Sequence, residues 1–296
     1  MKRSQLAAFV IVLLLAAGHP ALKADPQAAT KPTPSVDQVV TQVKALLAKE
    51  RIQTRFDLVR QLQQQGLTWQ PSLLAPNDLV GRLSDESLRY YAGIKLFDAV
   101  YAATFMQRQA VADAVRTIEQ IQDKLNVRSY ADLGGGAVAT LRKAAAEPGK
   151  ANVPELVDQL AGDFSRDVPA LMANPRSAAY LVDVLYGFTI ETGFMLGYFY
   201  RADAKGQGTL MKAIPQQKGG ITDWLEVLLQ VHEAVGRGGE TITVKGKAVP
   251  KMDLIREIIR VRKEAGQSPE KIAASRTSVY GQAATIREAI LTPSAR

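Results

Sequence analysis

The chain contains no cysteine and only two histidines among its 296 residues, and what these absences exclude bounds the chemistry open to it. Without a thiol there is no disulfide framework, no iron–sulfur ligand set and no thiolate nucleophile. One histidine, His19, falls in a segment expected to be removed, so His232 is left as the single imidazole. Zinc sites built from several Cys or His ligands are thereby excluded, and no metal site is expected. A Ser-His-Asp triad would have to use His232, yet the chain has no Gly-x-Ser-x-Gly turn, and the Glu-x-x-His pattern of di-iron bundles is missing as well. No glycine loop is followed by Lys-Ser/Thr, and none follows a strand, so neither nucleotide fingerprint is present and no cofactor is expected. Strand patterning is equally scarce. Paired carboxylates remain the one catalytic chemistry open, since two acids need only proximity.

What is present begins with an export signal. Lys2 and Arg3 precede an apolar run from Leu6 to Ala17, and Ala24 offers a small residue for cleavage, so residues 1–24 read as a signal peptide. The run is too short to span a bilayer. Leu22 is larger than usual two places before the cut, which allows cleavage a few residues earlier. Removing Lys2, Arg3 and Lys23 lowers the formal net charge from +8 to +5, a mild excess that gives no reason to expect a nucleic-acid partner. No Asn-x-Ser/Thr acceptor occurs, which fits bacterial export, and the periplasm is the expected compartment, with secretion as the alternative.

Residues 25–35 carry the Pro and Ala content of a flexible linker. Thereafter the pattern is helical almost throughout. Ser35 and Gln38 form a capping box before Val39, Val40 and Val43. Ser84, followed by Asp85 and Glu86, caps a long helix expected to run with a break to Asn126. Pro148 and Gly149 divide an N-terminal helical half, 36–147, from a C-terminal half, 150–296, the two sharing one core. Thr222 is expected to cap the helix that contains His232, and Ser268-Pro269-Glu270 opens the last one. Residues 240–249 alternate around Lys245-Gly246-Lys247 and read as one short hairpin. The expected fold is all-α: a multi-helix bundle around a central apolar helix, 177–200.

That central stretch has 16 apolar residues among its 24, in every direction around a helix. A membrane span and a buried helix both fit such a pattern. Asp183 and Glu191 decide for burial, because a carboxylate at a span's centre costs about 2.5–3.5 kcal/mol against the few kcal/mol its apolar residues contribute. The glycines at 187, 193 and 197 are expected to leave room for the aromatic rings of a partner helix, residues 84–106. At an offset of 89, Leu96-Phe97 aligns with Leu185-Tyr186 and Phe105-Met106 with Phe194-Met195, as an old duplication would leave them.

Candidate site residues follow from polarity in apolar surroundings. Asp98, Tyr101, Asp183, Glu191 and His232 sit inside apolar helical segments, and a convergence of Asp98, Glu191 and His232 would hold a metal, bind a cationic ligand or serve a carboxylate enzyme. Ordinary satisfied core polarity is the competing reading. Arg256, Arg260, Arg262 and Lys263 offer a surface to an anionic partner, such as the envelope, although Asp253, Glu257 and Glu264 interleave with them as a solvated ion-paired face would. The leading functional expectation is an exported, non-enzymatic binding, adaptor or assembly component. Its expected partner is a protein or an apolar small molecule housed between the aromatic stretches.

Overall fold

The computed structural model describes residues 68–128, 136–146, 174–205, 221–264 and 269–293, together with a few positions within 35–41 and 159–171. The expected signal peptide, the linker up to Pro34 and the halves' boundary at Pro148 lie outside the described residues. The described architecture is a helical bundle with one small antiparallel hairpin. Its helices are α1 (Asp85–Thr104), α2 (Arg108–Lys124), α3 (Ala137–Ala146), α4 (Pro175–Lys205), α5 (Ile221–Ala234), α6 (Asp253–Glu264) and α7 (Pro269–Leu291). The strands are β1 (Thr241–Val244) and β2 (Lys247–Pro250). Among the described residues no helix is long and apolar enough to cross a membrane.

Local chemistry starts these helices where side-chain signals stand. Ser35 and Gln38 exchange hydrogen bonds, each accepting the other's backbone N–H at 2.9 and 3.3 Å. Ser84 caps α1 by accepting from the Ser87 N–H at 3.2 Å. Pro269 opens α7 at its first position, where its missing N–H leaves no bond unmade. The α5 helix, by contrast, already includes Ile221, so Thr222 lies inside the first turn rather than at the cap.

The core is organised on the crossing of α1 with α4. Both helices are buried around most of their circumference, and they touch backbone to backbone at two glycines. A Cβ built on Gly93 would run into the Val184 carbonyl, and one on Gly187 into the Tyr90 carbonyl. Edge-to-face ring pairs stand on the same contact, Tyr90 with Tyr186 at 5.5 Å between centroids and Phe97 with Phe188 at 5.2 Å. The two aromatic stretches therefore meet, ring against ring. Helix α7 packs along α4, α2 covers α1, and α5 and α6 close the side near the hairpin.

Candidate functional site

Polar groups in the core fall into two charge clusters. Lys95 and Asp98 of α1 pair at 3.0 Å, both 1 % exposed. On α4, Glu191 is held by both guanidinium arms of Arg287 from α7, at 2.5 and 3.0 Å. Every member of this quartet except Glu191 also binds the irregular segment that precedes α1. Asp98 accepts from the Ala75 N–H at 3.1 Å, Lys95 donates to the Ala75 carbonyl, and Arg287 donates to the Leu73 carbonyl at 2.9 Å. Tyr91 donates to the Pro76 carbonyl, and the Tyr101 hydroxyl accepts from the Gln70 N–H at 3.2 Å. Trp69 stacks on Tyr101 at 4.9 Å. A segment whose one regular element is the short 3-10 helix Pro71–Leu73 is thus tied down largely by buried side chains, as buried peptide groups require.

Burial dominates the proton affinities here. It pushes the Glu191 carboxyl up to about 8, although Arg287 draws it back, and Asp98 adds to the rise. Asp98 is also raised by burial, against the pull of Lys95. Tyr101 is pushed up to about 12 for the same reason.

The second cluster joins α4 to the hairpin. Asp183 accepts from Arg237 at 2.7 Å, Arg237 reaches Glu240 at 2.6 Å, and Glu240 accepts from Lys251 at 2.6 Å. Lys251, 1 % exposed, also pairs with Glu86 at 2.9 Å and lies 4.8 Å over the Tyr90 ring. Tyr90 donates to the same Glu86 carboxylate at 3.0 Å. Burial raises Asp183 against the pull of Arg237. Burial acts on Glu86 and Glu240 in the same sense, but there the cations win and both are lowered, Lys251 and Tyr90 acting on Glu86, and Arg237 and Lys251 on Glu240.

Asp98 and Glu191 are therefore electrostatic neighbours, as expected, whereas His232 is not with them. Its surroundings are Arg237, Glu240 and Lys251 of the second cluster, and burial pushes its imidazole down to about 4. Asp183 stands with that cluster too, eight residues and about 12 Å along α4 from Glu191. Both ring nitrogens of His232 are buried without a hydrogen-bond partner among the described residues. Among the described residues no three His, Asp or Glu side chains gather as metal ligands would.

Beside the second cluster, with which it shares Glu86 and Tyr90, the surface opens into a cleft of about 480 Å³ between the first turns of α1, the hairpin and the end of α7. Glu86, Ser87 and Tyr90 form one wall, and Thr285, Glu288, Ala289 and Thr292 another. The third consists of Thr241, Ile242, Thr243, Lys245 and Gly246, with no residue of β2. None of the five candidate site residues lines it. Periodicity could not point here, because threonines on a hairpin and a first-turn glutamate are ordinary surface choices. Threonines at alternate positions 241 and 243 are the one local signal.

On α6, Arg256 pairs with Asp253 at 3.1 Å and Arg260 with Glu257 at 2.7 Å. Arg262 and Lys263 belong to the same helix, their side chains outside the described residues. Comparison of the chain with family models, curated proteins and solved structures finds no match.

Proposed function

We propose that this protein is an exported, non-catalytic binding or adaptor component of the periplasm, and that its partner seats in the cleft between α1, the hairpin and α7. One observation carries the reading. Asp98, Asp183, Glu191 and His232, the polar groups that stood out in apolar helical segments, are all sealed in the interior, and none borders the cleft. Each of the three acids faces a basic side chain inside the fold, Lys95, Arg237 or Arg287. A catalytic acid or base must come within hydrogen-bond reach of its substrate, and these do not meet solvent. The cleft itself offers hydroxyls, backbone and two carboxylates, the inventory of recognition. Its volume lies within the usual range for binding sites.

The test uses the full chain in its host, tagged at the C-terminus and carrying a photo-crosslinking residue at Glu288 or, as control, at Arg256. Osmotic shock should release it with a new N-terminus at or a few residues before Asp25, and irradiation should give an adduct from position 288 alone. Retention of the uncut chain in the cytoplasm would defeat export. Equal adducts from both positions would defeat the cleft as the binding face.

A further inference from the structure

The hairpin has two outer edges, and they are not alike. Val244 and Lys247 face each other across a two-residue turn whose central residues, Lys245 and Gly246, have φ of 49° and 76°, the signs a type I′ turn needs. In such a hairpin the pair that flanks the turn is hydrogen-bonded, and pairs alternate from there. Ile242 with Val249 is then the next bonded pair. The Lys251 N–H donating to the Glu240 carbonyl at 2.9 Å continues the alternation. Thr241 and Thr243, opposite Pro250 and Ala248, are the non-bonded positions, so their N–H and C=O groups point away from β2.

On the outer edge of β2 the corresponding position is Pro250, which has no N–H to offer, and this blunts that edge. Nothing comparable blunts β1. Its residues, without any of β2, form a wall of the cleft, so the cleft runs along the free edge and not over the face of the sheet. The backbone N–H and C=O of Thr241 and Thr243 have no backbone partner in that direction among the described residues. An open edge of this kind is a template for one more strand.

We infer that the free edge of β1 receives an extended segment of a partner protein, which adds to the hairpin as a third strand and carries a lysine or arginine opposite Glu288. This inference rests on the binding role proposed above and names the occupant. Charge specifies it: Glu86 is already matched by Lys251, whereas the exposed Glu288 carboxylate has no ion-pair partner among the described residues. Lys245 stands at the turn end of the strip, so a segment basic along its whole length is repelled there and one basic residue toward α7 is favoured. A second copy of the chain is a poor occupant. Approaching edge to edge, it would bring its own α1 and α7 against these two helices, which flank the cleft on either side.

The experiment titrates the purified mature chain with blocked hexapeptides of alternating valine and threonine, one lysine being placed at each position in turn. At least one lysine peptide should bind in the micromolar to millimolar range and shift the amide resonances of Thr241 and Thr243. N-methylation of its alternate residues should weaken it about tenfold or more, as should Thr243→Pro, which removes an outward N–H, and Glu288→Lys, which reverses the charge. Thr243→Pro also constrains the strand, and Glu288→Lys, on an exposed helical position, keeps the test readable if that variant misfolds. Three results would overturn the inference. No lysine peptide binds at millimolar concentration; or binding is unaffected by N-methylation and by Glu288→Lys; or the wild-type chain dimerises and Thr243→Pro abolishes the dimer. A cleft-specific crosslink without peptide binding would leave the binding role standing and remove only the added strand.

Discussion

Met106 occupies the left-handed position that ends α1, with φ at 57° and its side chain exposed. The Gln107 N–H donates to Ala102 and the Met106 N–H to Ala103, which is the Schellman arrangement, usually made with glycine. Asn126 ends α2 in the same way and Gly236 ends α5. A side chain with Cβ is strained in this region by about 1–2 kcal/mol, and a glycine is not, though it loses more entropy on folding. Met106→Gly should therefore stabilise the protein by about 0.5–1 kcal/mol, read as a raised urea midpoint at unchanged slope. Asn126→Gly should gain less, since Asn tolerates that conformation. A lowered midpoint for Met106→Gly would mean that the exposed methionine packs on something. Helix starts were legible in the sequence because caps such as Ser35 and Ser84 announce themselves by local hydrogen bonds. The break at Met106 was legible only as a break somewhere before Asn126, because methionine carries no stop signal.

At the level of elements, the crossing of α1 and α4 is set by the two glycines, and backbone cannot move aside as a rotamer can. Gly93→Ala and Gly187→Ala should each destabilise by about 1–3 kcal/mol, although alanine is the better helix former by about 1 kcal/mol. Gly281 in α7 is the control: open space surrounds its missing Cβ, so Gly281→Ala should stabilise by about 0.5–1 kcal/mol. Thermal unfolding of the three variants checks both signs, and a stabilised Gly187→Ala would refute the close crossing. The sequence led to the pairing of the two aromatic stretches and to Gly187 as a point of approach. It did not show that a backbone carbonyl, rather than a ring, fills the gap, since spacing reports that helices come near and not which atoms do. Asp98 and Glu191 stood out for their polarity in the same way. Their use was hidden because Arg287 is 96 residues from Glu191, and the Leu73 and Ala75 peptide groups that Arg287 and Asp98 serve have no side-chain signature.

Across the whole molecule, the buried ionisable groups give stability a definite dependence on pH. His232 sits at about 4 when folded and near 6.5 when unfolded, so between these values only the unfolded chain holds the proton. Its contribution is complete above about 6.5 and is lost as the pH falls through 4. Glu191 runs the other way. Raised to about 8, it keeps a proton that the unfolded chain gives up near 4.3, so its contribution is complete below about 4.3 and is lost as the pH rises through 8. Asp98 and Asp183, raised by burial, slope in the same sense as Glu191. The slope of His232 opposes that of these carboxyls between about 4.5 and 6.5, and from about 6.5 to 8 the imidazole no longer offsets Glu191. Urea midpoints should accordingly fall more steeply with pH over the second interval than over the first, by about 1–3 kcal/mol between 6.5 and 8. Glu191→Gln should reduce the fall above 6.5 and tilt the profile from 6.5 down to 4 toward a loss of stability. His232→Gln should extend the Glu191 slope down to about 4.5. Slopes rather than absolute midpoints carry the comparison, because either substitution shifts stability at every pH through packing. If His232→Gln left the slope of the profile between 4.5 and 6.5 unchanged from the wild type, the imidazole would have to be solvated in the folded chain, and its assignment to the sealed side of α5 would fail.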